Sequence, residues 1–99
     1  MDIGNVIKSL RKTKGINQTD LANHIEITQS YLSLIEKNRK EPNLSTLKRI
    51  SHSLEVPLPI MFFMSLEEND IPQKKKEAFN MIFPSVNSFI ESLFITAND

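Results

Sequence analysis

Residues 18–38 read QTDLANHIEITQSYLSLIEKN. Asn17, immediately before, is a good N-cap, and Asp20 three residues on makes a near relative of the capping box. A short helix is therefore expected from Gln18 to about His24, with Leu21, Ala22 and Ile25 inward. Ile27 is apolar, Thr28 can cap again, and Leu32 and Ile35 keep the inner spacing of a second helix over Gln29–Lys37. That helix ends near Asn38, a residue that tolerates the left-handed backbone. Two helices thus flank a very short turn. The small Ala22 sits where they approach closely, and Leu21, Ile25, Leu32 and Ile35 pin their crossing, leaving the second helix held out as a probe.

Outward from this stretch the chain continues to read as helix. Upstream, Ile3, Val6, Ile7 and Leu10 form one buried stripe of a helix from about Asp2 to Lys14, which Gly15 stops. Downstream, Pro42 breaks the chain and Asn43 caps a fourth helix with Leu44, Leu47, Ile50 and Leu54 inward. Val56 and Pro57 lead into a short fifth helix. Its residues Leu58, Ile60, Met61, Phe62, Phe63 and Met64 are apolar nearly all round, so it must be covered on more than one side. Glu67 to Asp70 reads as a connection, and Asp70 with Pro72 as the cap and first turn of a helix carrying Lys74, Lys75, Lys76, Phe79, Ile82 and Phe83. Pro84 interrupts, Ser85 can cap again, and Val86, Phe89, Ile90, Leu93 and Phe94 make a further amphipathic stripe before a frayed end at Thr96–Asp99. The expectation is an all-α fold of about seven helices, with a domain over residues 1–66 and a C-terminal extension over 67–99.

The totals narrow the function. A chain of 99 residues folds as one compact domain with an appendage at most. It has no cysteine, hence no disulfide framework, no thiolate nucleophile and no cysteine-based zinc site. The longest apolar stretch, Val56 to Met64, holds two prolines and is far shorter than the ~20 residues of a membrane span, so a cytoplasmic protein away from membranes is expected. The net charge is zero, yet residues 1–49 hold nine Lys and Arg against five Asp and Glu, and residues 50–99 hold three against seven. A positive first half and a negative second half would orient the molecule towards a polyanion.

The quoted stretch, with PNLSTL at residues 42–47, resembles the Cro/C1-type (XRE) helix-turn-helix family over Asp2 to Met64. The resemblance rests on the joint spacing of Gln18, Leu21, Ala22, Gln29, Leu32, Ile35, Glu36, Pro42, Leu44 and Leu47. It implies a lambda-repressor-like five-helix DNA-binding domain whose probe helix enters the major groove of double-stranded DNA. Base reading then falls to the face of that helix opposite Leu32 and Ile35: Gln29, Ser30, Ser33 and Leu34. Gln29 leads, because a carboxamide pairs bidentately with adenine N7 and N6. Phosphate contacts are expected at helix ends. Gln18 lies at a helix N-terminus, as does Thr28; Lys37 ends the probe, Asn38, Arg39 and Lys40 follow it, and Tyr31 is placed for the backbone through its hydroxyl. Asn38 stands where relatives usually have glycine. Arg11, Lys12 and Lys14 are read as complementing the dipole of the first helix.

A homodimer is expected because one such module reads only about 4 to 6 base pairs, whereas a two-fold pair doubles the readout on a palindromic operator. Phe79, Ile82, Phe83, Val86, Phe89, Ile90, Leu93 and Phe94 are assigned a mixed role, against the fifth helix and against a symmetry mate. Purely intramolecular packing is the competing reading. Nothing supports an enzyme or a cofactor. His24 and His52 lack partners at metal-ligand spacing, the acids at 67, 68 and 70 have no matching nucleophile, and Gly4 and Gly15 form no phosphate loop. Two other functions stay open: the antitoxin of a toxin pair, and a protein-interaction module without DNA contact.

Overall fold

The computed structural model describes residues 1–95; the end expected to fray, Thr96–Asp99, lies outside them. Among the described residues the fold is all helical: α1 (Ile3–Thr13), α2 (Gln18–His24), α3 (Gln29–Glu36), α4 (Leu44–Leu54), α5 (Leu58–Met64) and α6 (Lys76–Phe94). Two short 3-10 turns, Glu68–Asp70 and Gln73–Lys75, lie between α5 and α6.

Local chemistry accounts for the ends. Asp2, Asn17, Thr28 and Asn43 each accept a bond from the backbone N–H three residues on, at 2.8 to 3.0 Å. The C-termini of α1 to α4 share another device. Gly15, Glu26, Asn38 and Glu55 all have φ between 59° and 72°, and the next residue's N–H returns to the carbonyl five back: Ile16 to Arg11, Ile27 to Ala22, Arg39 to Leu34 and Val56 to Ser51. These are Schellman turns. The left-handed state of Gly15 and Asn38 follows from residue type; that of the two glutamates is imposed by the packing of the helices on either side.

The core is one cluster. Val6, Ile7 and Leu10 of α1, Leu21 and Ala22 of α2, Leu32 and Ile35 of α3, Leu47, Ile50 and Leu54 of α4, and Met61 of α5 are buried together with Ile25 and Val56. No helix among the described residues is long and apolar enough to cross a membrane.

Three expectations are corrected. Leu44 is not inward but 56% exposed. It is the first residue of α4, whose inner row runs Leu47, Ile50, Leu54. A side chain at that end leans back towards the N-terminus and overhangs the core. It lies instead on an open groove with His24, Lys48, Arg49 and His52. Pro84 does not divide the C-terminal segment. It sits inside α6, exposed to solvent, so water can satisfy the carbonyl that loses its partner while residues on both sides pack on the domain, and the α-helices among the described residues are six rather than seven. Asp70 does not cap α6. Its carboxylate accepts from the Glu67 N–H and meets the Met1 α-amino group at 2.7 Å, and Glu67 meets that amine at 3.1 Å. These bonds raise the amine pKa and lower that of Asp70.

Candidate DNA interface

The turn between α2 and α3 occupies only residues 25–28 and closes on both sides. Ile27 N–H returns to Ala22, and Thr28 Oγ1 takes the Tyr31 N–H at 3.0 Å. With Ala22 and Leu21 buried against Leu32 and Ile35, α3 is fixed by its inner face. Its first turn presents exposed Gln29 and Ser30, with Ser33 and Leu34 half-buried beside them. Thr28, Lys37, Asn38, Arg39 and Lys40 are exposed around its two ends, and Tyr31 is half-buried with its ring on the core.

Beneath Gln29 runs a chain of polar contacts that starts in the interior. Arg11 and Glu36 are both buried and pair bidentately, Nε to Oε2 at 2.8 Å and Nη2 to Oε1 at 3.0 Å; Arg11 Nη1 also donates to the Ile16 carbonyl at 2.9 Å. Hydrogen bonding to Glu36 raises the Arg11 pKa above its ordinary value. Glu36 Oε1 further accepts from Gln18 Nε2 at 3.1 Å, and Gln18 Oε1 accepts from Gln29 Nε2 at 2.9 Å. A carboxamide carries two N–H donors and an acceptor oxygen. The bond to Gln18 uses one donor of Gln29, and an adenine edge needs only the other donor and the oxygen. The geometry therefore orients Gln29 while keeping the atoms that base pairing needs.

Arg11 thus does more than complement a helix dipole, the role expected for it. Two signals for this lay in the chain. Glu36 is an acid adjoining the inner position Ile35, and Arg11 stands four residues after the core residue Ile7; a charge on a buried stripe calls for a partner.

Asn38 is placed differently from a simple phosphate ligand. Its Oδ1 accepts from Gly4 N–H at 3.0 Å and its Nδ2 donates to Asp2, so the side chain ties the end of α3 to the start of α1. The two helices meet so closely that a Cβ on Gly4 would lie 2.4 Å from the Ile35 carbonyl oxygen and 2.8 Å from that of Glu36. Gly4 was not legible as a packing residue, because its neighbour across the contact is 31 positions away. The basic side chains Lys37, Arg39 and Lys40 then continue the exposed surface from this junction.

The helix-turn-helix family model matches residues 7–60, which holds α2, the turn and α3. The chain belongs to the Cro/C1-type helix-turn-helix family. Among members of that family it is 30% identical to the immunity repressor protein of Bacillus phage phi105, over 78% of this chain and 62% of that protein, so it spans less than two thirds of that relative's length. It is also 30% identical to the cryptic phage CTXphi transcriptional repressor RstR of Vibrio cholerae, over 90% of this chain and 78% of the relative. With the HTH-type transcriptional regulator SinR of Bacillus subtilis it shares 40% identity over 54% of this chain and 50% of that one. The crystal structure of the clp gene regulator ClgR from Corynebacterium glutamicum superposes with a TM-score of 0.64, covering 91% of this chain and 87% of that one at 21% identity, a likeness of fold.

The α6 residues expected to have a mixed role divide by face. Ile90 is buried; Phe79, Phe83 and Phe94 are half-buried, with Phe83 5.1 Å from the Phe63 ring of α5 and 4.7 Å from Phe79. Ile82, Val86, Phe89 and Leu93 are exposed.

Proposed function

We propose that this chain is a sequence-specific DNA-binding transcriptional regulator, a repressor or autoregulator rather than an enzyme, acting in the cytoplasm as a homodimer on a palindromic operator. The observation that carries this reading is Gln29, exposed on the first turn of α3 and held by Gln18, which is itself held by the buried Arg11–Glu36 pair. Side chains that read bases must be preorganised, and this one is oriented from the core outward. Ser30, Ser33 and Leu34 complete the reading face. Gln18, Thr28, Tyr31, Lys37, Arg39 and Lys40 contact phosphates, with Asn38 acting through its place in the turn. The division of labour is residues 1–66 for DNA and residues 67–99 for pairing. That relatives bear the names of phage repressors supports the sign of regulation.

The test separates reading from holding. On sites selected from a random DNA pool, Gln29→Ala should weaken binding by about 1 to 3 kcal/mol and relax the preference at one position of each half-site. Arg39→Ala should weaken all sequences nearly alike and make the salt slope shallower by about two units for a dimer. If Gln29→Ala weakens chosen and random DNA equally, Gln29 only positions the protein and the reader lies among Ser30, Ser33 and Leu34. Failure to select any sequence, with a stoichiometric protein partner recovered instead, would replace this reading by an interaction module.

A further inference from the structure

The eight apolar residues of the C-terminal stripe resolve into two seams one residue apart. Phe83, Ile90 and Phe94 face the chain's own domain and, with the polar Asn87 between them, are all at least half-buried. Residues 82, 86, 89 and 93 face solvent: Ile82 59%, Val86 36%, Phe89 65% and Leu93 53% exposed. Their spacing of four, three and four, continued by Phe79 three residues before, is the a/d pattern of a helix that packs along another helix, narrower than the stripe of a helix lying on a globular core. The inner seam already has its partner. On the far flank of the outer seam stand Met81 and then the small residues Ser85, Ser88 and Ser92, which allow a second helix to approach.

What covers the outer seam can be read from its symmetry and its relief. Val86 is the middle of the five seam positions and lies within one residue of the midpoint of α6, so the seam turned end for end matches itself to within one residue: 79 meets 93, 82 meets 89, 86 meets 86. Towards the N-terminal half opens a cleft of about 300 Å³ between α5, the connection and α6. It is walled by Phe63, Ile71, Phe79, Ile82, Phe83 and Val86. Towards the other half stand the protruding Phe89 and Leu93. An antiparallel second copy places knob over cleft twice. Charge favours the same orientation. Lys74, Lys75 and Lys76 lie together at the N-terminal end, where a parallel pair would juxtapose six cations, whereas an antiparallel pair sets them beside the negative end of the opposing helix dipole. The exposed apolar face is on the order of the few hundred Å² that marks an interaction surface, and it runs along a helix about 28 Å long.

We propose that Ile82, Val86, Phe89 and Leu93 of one protomer dock antiparallel on the same residues of its partner. Val86 stands on the two-fold axis, and Phe89 of each copy enters the cleft of the other. This rests on the homodimer reading above and adds the face, the orientation and the register.

The chain has no cysteine, so single thiols report the geometry cleanly. Under mild oxidation the full-length Val86→Cys protein should form a disulfide-linked dimer, Leu93→Cys should not link to itself, and an equimolar mixture of Leu93→Cys and Phe79→Cys should link. Phe89→Ala should weaken self-association by about thirtyfold or more with helix content unchanged. Self-linking of Leu93→Cys as efficient as that of Val86→Cys would overturn the antiparallel arrangement. Dimers in sedimentation with no link at Val86 would overturn the face while leaving the homodimer reading intact, and a monomer at tens of micromolar would overturn both.

Discussion

Gly4 and Glu36 decide how the probe helix is seated, and each makes a prediction that depends on a single side chain. A Cβ at residue 4 would press on two backbone carbonyls of α3, which cannot rotate away as a flexible side chain would. Gly4→Ala should therefore destabilise the fold by about 1 to 3 kcal/mol in urea denaturation, although alanine is the better helix former. A neutral result would mean that α1 can slide off α3. Glu36→Gln keeps the shape of the side chain but leaves the buried Arg11 guanidinium without its counter-charge. A loss of about 3 kcal/mol is expected, as for other buried pairs broken on one side. Because Gln18 bonds that carboxylate and Gln29 bonds Gln18, the substitution should also lower discrimination between chosen and random DNA under conditions where the variant remains folded. Unchanged discrimination would show that Gln29 orients itself independently of the network.

At the scale of elements, the same left-handed turn closes four helices with three kinds of residue, and this makes their substitution effects differ in sign. Glu55 is exposed at φ 59°. Glu55→Gly should relieve the backbone and raise stability by up to about 1 kcal/mol, read as a rise in Tm. Asn38 has the same φ, but its carboxamide bonds Gly4 and Asp2. Asn38→Gly should lose about 1 kcal/mol or more of hydrogen bonding and give no gain, despite a backbone that suits glycine. Equal gains at both positions would mean that the Asn38 side chain contributes nothing. In α6, Pro84 removes one ladder bond from a helix that continues through it, packed on the domain on both sides. Pro84→Ala should raise stability by about 1 to 3 kcal/mol. A decrease would identify a bend at Pro84 that the α5–α6 contact requires.

The molecule as a whole is flat, 42 by 33 by 19 Å, with a radius of gyration of 14.1 Å against about 13 Å for a compact chain of this length. The excess fits a C-terminal helix that lies along the domain with its outer side uncovered. Charge is divided along the chain, with the excess of cations in the half that carries α3 and the excess of anions in the half that carries α6. In the proposed dimer, pairing and DNA binding are linked, since each protomer supplies one half-site contact. Replacing Phe89 and Leu93 together by serine should give a folded monomer whose operator binding is weaker and steeply dependent on protein concentration, measured by sedimentation and by titration of labelled DNA. Operator affinity unchanged at nanomolar protein would show that a single domain suffices. Loss of helix content in that variant would assign the outer seam to the fold of the monomer.

Periodicity and capping along the chain were enough to determine α1 to α5, the tight turn before α3, and the exposed face that carries Gln29, because each depends on residues within about eight positions of one another. The left-handed ends at Gly15 and Asn38 were legible for the same reason, residue type alone. Other features belong to the tertiary structure. The Arg11–Glu36 pair, the Gly4 contact and the double role of Asn38 join residues 25 to 36 positions apart, and no local pattern specifies which buried charge or close approach meets which. Leu44 obeyed the inner spacing yet lies outside, since periodicity states which face a residue is on but not where the core beneath that face ends. Pro84 read as a break from its own chemistry, and the packing of Phe83 and Ile90 on either side overrode it. The C-terminal stripe read as one surface of mixed role. Only the position of the domain against it separated the seam that the monomer buries from the seam it leaves exposed, because burial is a property of neighbours and not of spacing.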